Sequence, residues 1–209
     1  MLFRSLSHDT WIHRGVRTLV RPLVKTPVTP NQITTLRLLT GIGAAAAFGV
    51  GDDDWRAVGA GIFVLSMVLD RADGELARLS GKMSTSGHRY DLFADSLCNC
   101  LAFIGLGIGY IDTPLGPWAA VMGLAAGIAV IAILGMVVRA ERGGGARAAE
   151  LGSGVGFDPD DGMLAVPILV LLDAGVPLLY AAVIGAPVFA LFFYWRFRTI
   201  LHPGAILEE

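Results

Sequence analysis

The chain has 209 residues, 54% of them hydrophobic and 16% charged, with a mean hydropathy of +0.63 and a formal net charge of -2. So apolar a composition excludes an ordinary soluble domain and indicates an integral membrane protein, sized for one bundle without a second domain. The small net charge says little by itself; the placement of the charges says more, and no nucleic-acid polymer is implied as a partner.

At the N-terminus, Arg4, His8, Asp9 and His13 stand where a signal peptide would need an apolar core, so none is expected. Ile12, Val16, Leu19, Val20 and Leu23 then recur at helical spacing against Arg14, Arg17, Arg21 and Lys25. This pattern predicts an amphipathic juxtamembrane helix within 1–26, lying in the inner headgroup layer. In "TPVTPNQIT", Pro27 and Pro30 are expected to stop that helix, and Thr29 or Asn31 to cap the next.

Six apolar segments follow, over 32–50, 57–78, 93–111, 117–138, 161–176 and 177–195. A bilayer core of ~30 Å needs about 20 helical residues, and most of the segments suit that length. Helices are the spanning form open to them, because unpaired backbone groups have no water partner in lipid. The fifth is short, and its boundary with the sixth falls near "DAGVP". The predicted class is therefore all-α: a polytopic membrane protein with six transmembrane helices in 27–209 and the amphipathic helix before them.

Six spans place both ends on one side. Of the 16 Lys and Arg residues, all but Arg56 then fall on that side. The excess orients the termini, the 71–90 connection and the 139–160 loop toward the cytoplasm. Trp11, Trp55, Trp118 and Trp195 lie near segment ends, as interfacial anchors should. "ERGGGARAAELGSGVG" reads as a flexible loop. In the "FDPDDG" that follows, Asp158 is expected to cap a helix opened by Pro159, with Asp160 and Asp161 in its first turn. Cys98 and Cys100 have no zinc spacing and read as small buried side chains.

The stretch "LDRADGELARLSGKMSTSGHRYDLFADSL", 69–97, breaks the apolar pattern. Asp70 and Asp73 share a helix face that continues through Gly74, Ala77 and Gly81. Gly87, Asp91 and Asp95 repeat at spacing four on the next segment. With a short loop between them, the two helices are expected to be antiparallel neighbours whose four acids converge. Each charge inside a bilayer costs about 2.5–3.5 kcal/mol even on the lenient insertion scale. Repulsion among like charges adds to that cost. Ion pairs with Arg71, Arg78 and Arg89 would offset some of it. A divalent cation would offset more, and carboxylate oxygens are the ligands that Mg²⁺, Mn²⁺ or Ca²⁺ prefer. Glu75 points off the stripe, toward solvent or a basic partner, and His88 reads as a loop residue.

The spacing Asp70-x₂-Asp73-Gly74-x₂-Ala77-Arg78-x₈-Gly87-x₃-Asp91-x₃-Asp95 resembles the signature of the CDP-alcohol phosphotransferase family at every fixed position. "PNQITTLR" before the first span is also similar to that family. The resemblance implies a six-helix membrane enzyme, commonly a homodimer, with its site at the cytoplasmic face of the cell (inner) membrane. Such an enzyme moves the phospho-alcohol part of a CDP-alcohol to an acceptor hydroxyl and releases CMP. By the same resemblance Asp70, Asp73 and Asp91 are metal ligands for Mg²⁺ or Mn²⁺, with two ions expected. Asp95 is a ligand, a general base or both, so Asp91 and Asp95 carry the catalytic roles. Gly74, Ala77 and Gly87 make room for the cytidine and its phosphates, and Arg78 holds the diphosphate. An Arg fork suits phosphate better than Lys does. Arg139 and Arg142 are candidates for an acceptor phosphate, and Arg37 for a nucleotide or acceptor contact.

The motif specifies a reaction type rather than its alcohols. CDP-diacylglycerol, in phospholipid headgroup synthesis, is the leading donor. "DGELAR" favours a small CDP-polyol, such as CDP-inositol, as the alternative. Two readings of other classes are a membrane prenyltransferase, which also binds diphosphate through Asp pairs, and a cation transporter. The transporter would need acids deep in several spans, and most of these spans have almost none.

Overall fold

The computed structural model describes the backbone of residues 11–144 and 159–201 and the side chains of 15–142 and 162–198. The expectations for Arg4, His8, Asp9, Arg147, Asp158 and loop residues 145–156 lie outside the described residues, as do those for the side chains of Trp11, Ile12, His13, Arg14, Asp160 and Asp161. Every regular element among the described residues is helical.

Helix α1 spans Trp11–Val20 and tightens into a 3₁₀ turn, Arg21–Lys25. Its apolar face does not lie wholly on lipid. Val16 and Val20 are buried against Ile33, Ala72 and Leu76, while Leu19 is exposed.

Pro30 does not stop a helix but opens one. Helix α2, Pro30–Gly49, has Pro30 in its first turn, where a missing N–H costs nothing. Thr29 is the cap: its hydroxyl accepts from the Gln32 N–H, and the Gln32 side chain accepts from the Thr29 N–H at 2.9 Å.

Helix α3, Asp53–Ser80, is capped by Asp52 and ends at Gly81, whose φ of 67° is the left-handed conformation that glycine takes without a Cβ clash. Helix α4, Thr85–Gly109, is started by Ser84, whose Oγ accepts from the Gly87 N–H at 3.0 Å. That cap puts His88 inside the first turn of α4 rather than in a loop. Helix α5 spans Trp118–Gly144.

The fifth apolar segment is not one helix. A 3₁₀ stretch, Pro159–Leu164, leads into a seven-residue α6, Ala165–Leu171. The chain turns through Asp173, at φ 53°, into α7, Gly175–Leu201. The boundary therefore lies two residues before the expected one.

α4, α5 and α7 are long and apolar enough to cross a membrane, and the end of the 3₁₀ stretch together with α6, 162–171, makes a shorter apolar helical run. α2 and α3 carry the polar residues described below, which dilute their apolar stretches. Trp55, Trp118 and Trp195 are all more than half exposed, near helix ends. Cys98 and Cys100 are free and buried.

The packing order departs from expectation. α3 and α4 make little direct backbone contact; α2 lies along both. Small residues make this possible. A Cβ on Gly41 would fall on Cys98 Sγ and within 3.3 Å of Ser66 Oγ, so α2 enters between the other two helices only with glycine there. α5 packs on α4 in the same manner. A Cβ on Gly107 would lie 2.6 Å from the Ala119 carbonyl oxygen and 3.0 Å from Gly123 Cα. Backbone cannot yield as a side chain tip can. Gly107→Val is therefore expected to cost about 1–3 kcal/mol through overpacking, read as a lowered melting temperature in detergent.

Candidate active site

Two turns at one end of the bundle assemble the site. Asp70 and Asp73 lie one turn apart on α3, and Asp91 approaches from α4. One carboxylate oxygen from each falls within 4.8 Å of the others. Ligands on opposite sides of Mg²⁺ stand about 4.2 Å apart, so a small inward rotation of these side chains would bring all three oxygens within reach of one ion. The donor set is all oxygen, which suits Mg²⁺ or Mn²⁺.

Asp95 stands beside this trio with partners of its own. Its Oδ1 accepts from Arg37 Nη2 at 2.5 Å and from Asn99 Nδ2 at 3.1 Å. Arg37 is the centre of the arrangement. It is 3% exposed, and its Nη1 lies 2.9 Å from Asp70 Oδ1 and 3.3 Å from Asp91 Oδ1. One guanidinium thus faces three carboxylates on two helices, while its Nε is buried without a hydrogen-bond partner. Its backbone is tied down as well, because the Arg37 carbonyl accepts from Ser66 Oγ and Thr40 Oγ1. A cleft of about 310 Å³, counting its open mouth, runs past Arg37, Asp70, Asp95 and Asn99 to Met163.

Asp73 is deeper, at 3% exposed, and takes a 2.7 Å hydrogen bond from the Thr34 hydroxyl. Thr34 and Arg37 share a face of α2 at spacing three. The polar pair within "PNQITTLR" was a legible sign that α2 serves the site. The acidic spacing by itself points to neither Thr34 nor Asn99. Asn99 lies four residues beyond Asp95, so the 91–95 spacing simply continues.

The remaining candidates lie at the same end. Gly74 has the Arg78 guanidinium alongside it: a Cβ there would be 3.8 Å from Nη2. Arg78 Nε donates to Glu75 Oε2 at 2.9 Å. Ala77 is half-buried. A Cβ on Gly87 would come within 3.2 Å of Asn31 Oδ1, so Gly87 faces the start of α2. Glu75 does not meet solvent. It is 1% exposed, and both of its oxygens take arginine partners. Of the anticipated ion pairs, Arg71 Nη1 lies 3.9 Å from Asp70 Oδ2, whereas Arg78 pairs with Glu75 instead. Arg139 and Arg142 are exposed near the end of α5. The His88–Glu141 contact, 2.9 Å, holds that end of α5 against the first turn of α4.

The chain's fold is similar to crystal structures of the phosphatidylinositol phosphate synthase of Mycobacterium tuberculosis. With the structure having CDP-DAG bound, the TM-score is 0.67 at 22% identity, over 92% of this chain and 97% of that one. With the complex containing manganese and citrate, it is 0.65 at 22% identity, over 91% of each chain. No curated protein sequence matches the chain. The sequence model for CDP-alcohol phosphatidyltransferases matches residues 27–195, most of the chain. This integral membrane protein thus belongs to the CDP-alcohol phosphatidyltransferase family and is a phosphotransferase enzyme of phospholipid synthesis.

Proposed function

We propose that the enzyme transfers a phospho-alcohol group from a CDP-alcohol, CDP-diacylglycerol first, to an acceptor hydroxyl at the cytoplasmic face of the cell membrane, releasing CMP. The observation that carries this reading is the convergence of Asp70, Asp73 and Asp91 within 4.8 Å, beside an Asp95 held by its own partners. Six spans belong to the reading: α2, α3, α4, α5, the 159–171 segment and α7. Residues 1–26 form a juxtamembrane segment on the domain 27–209, and two chains form a homodimer.

Asp70, Asp73 and Asp91 would hold Mg²⁺ or Mn²⁺, one ion or two. A cation bound there supplies charge neutralisation for the donor's diphosphate. Arg78 adds a second positive fork for the same phosphates. Gly74, Ala77 and Gly87 keep side-chain bulk away from the cytidine and its phosphates.

Asp95 takes the proton of the acceptor hydroxyl as its oxygen bonds to the transferred phosphorus and the bond to CMP breaks. Arg37 and Asn99 hold the Asp95 carboxylate in place for that step. Arg139 and Arg142 bind the phosphate of a phosphorylated acceptor.

The test is to incubate purified protein with Mg²⁺ or Mn²⁺ and a panel of CDP-alcohols and acceptors, and to identify the products by mass. CMP release that depends on both substrates is expected. Turnover of CDP-diacylglycerol supports the lipid-donor reading, and turnover of a small CDP-polyol alone overturns it. Pyrophosphate release without CMP would refute the whole assignment.

A further inference from the structure

The N-terminal helix reaches the site through one buried carboxylate. Glu75 sits on α3, two residues past Asp73, and is 1% exposed. A lone buried carboxylate is costly unless paired, and here each oxygen has a separate guanidinium. Arg17 Nε, from α1, donates to Oε1 at 2.6 Å. Arg78 Nε, one turn along α3, donates to Oε2 at 2.9 Å.

The choice of nitrogen matters. Arg78 is held by Nε, so its Nη1 and Nη2 project beyond that contact, alongside Gly74. Those two nitrogens form the fork that matches a phosphate. Arg17 in turn is carried by a helix whose Val16 and Val20 are packed on Ala72 and Leu76, the flanks of Glu75's own turn. α1 is thereby attached to the same turn by an apolar contact and by an ion pair.

We propose that Glu75 is a positioning residue that braces Arg78 for the donor's diphosphate, and that Arg17 makes the N-terminal helix part of that brace. The inference rests on the reading of Arg78 as the diphosphate ligand. An arginine side chain has many rotamers, and fixing one of them before the substrate arrives removes an entropic cost of binding. Without the brace, Arg78 would bind donor less well, and the steps at Asp95 would be untouched.

The experiment measures donor KM, acceptor KM and kcat, together with melting temperature and equilibrium binding of CDP. The variants are Glu75→Gln, Arg17→Met, the double variant and Arg78→Lys. Glu75→Gln and Arg17→Met are each expected to raise donor KM roughly tenfold, the scale of one misplaced charge-assisted contact. CDP affinity should fall in parallel, with acceptor KM and kcat within about twofold, as for an interaction made equally in the ground and transition states. The double variant should be no worse than Glu75→Gln, because Arg17 acts through Glu75.

If Arg78→Lys raises donor KM while Glu75→Gln leaves it unchanged, the brace is refuted and the diphosphate reading stands. If Arg78→Lys leaves donor KM unchanged, the diphosphate reading fails and the brace with it. A melting temperature that falls while kcat drops and donor and acceptor KM change alike means a purely structural role and overturns the proposal. Should Glu75→Gln fail to fold, Arg17→Met decides: its arginine is 44% exposed, and an unchanged donor KM there refutes the brace.

Discussion

Asp95→Asn abolishes turnover while leaving CDP binding largely intact: this is the expected result with the largest effect on rate. The amide is nearly isosteric with the carboxylate, so its oxygen can still accept from Arg37 and Asn99, which now lie at 2.5 and 3.1 Å. What the variant lacks is an acceptor for the proton of the attacking hydroxyl. General base catalysis supplies about 10²–10⁴ in rate, so kcat should fall by at least that range. Asp70, Asp73 and Asp91 remain, so donor affinity should change little. Equilibrium binding of CDP alongside single-turnover rates separates the two effects. Intact turnover in Asp95→Asn would refute the role of Asp95 as base.

Arg37→Met should have the largest effect on stability, and that effect should depend on divalent cation. The guanidinium faces Asp70, Asp91 and Asp95 from a position that is 3% exposed. Methionine fills similar volume without charge and leaves the carboxylates to repel one another. Removing one partner of a buried ion pair costs about 3–5 kcal/mol. A cation bound by the same carboxylates replaces part of the missing charge, and a ligand that binds only the folded state stabilises it by mass action. The melting temperature of Arg37→Met in detergent should therefore fall far below that of the parent protein in chelator. It should recover more than the parent's does when Mn²⁺ is added. Equal Mn²⁺ responses in the two proteins would show that the arginine and the cation do not share the carboxylates.

Much of this molecule was open to reading along the chain. Apolar segments bounded by prolines, glycines and capping residues located α2, α3, α4 and α5, because helix periodicity and caps are local properties, but α4 starts at Thr85, eight residues before the apolar run at 93, and α5 continues past 138 to Gly144. The acidic positions were legible for the same reason. Spacings of three and four place Asp70 with Asp73, and Asp91 with Asp95, on single helix faces. Local signals misled where two of them competed. Pro30 reads as a stop but serves as a first-turn residue once Thr29 caps the helix. The 161–176 segment is as apolar as a span, yet it divides into a 3₁₀ stretch and a short helix.

What the chain by itself determined is the class of molecule and the side chains available for chemistry: a membrane bundle with acids at one end and basic residues gathered there. What only the tertiary structure decided is what faces those acids. Periodicity states which residues share a face and is silent about the element opposite. α2 enters between α3 and α4 because Gly41 leaves no side chain in the way, and that entry carries Arg37 and Thr34 to the carboxylates. Glu75, off the acidic stripe in its own helix, becomes a buried partner of Arg17, 58 positions away, because α1 packs over it. Such contacts are set by helix-on-helix packing between distant segments, which no local spacing encodes.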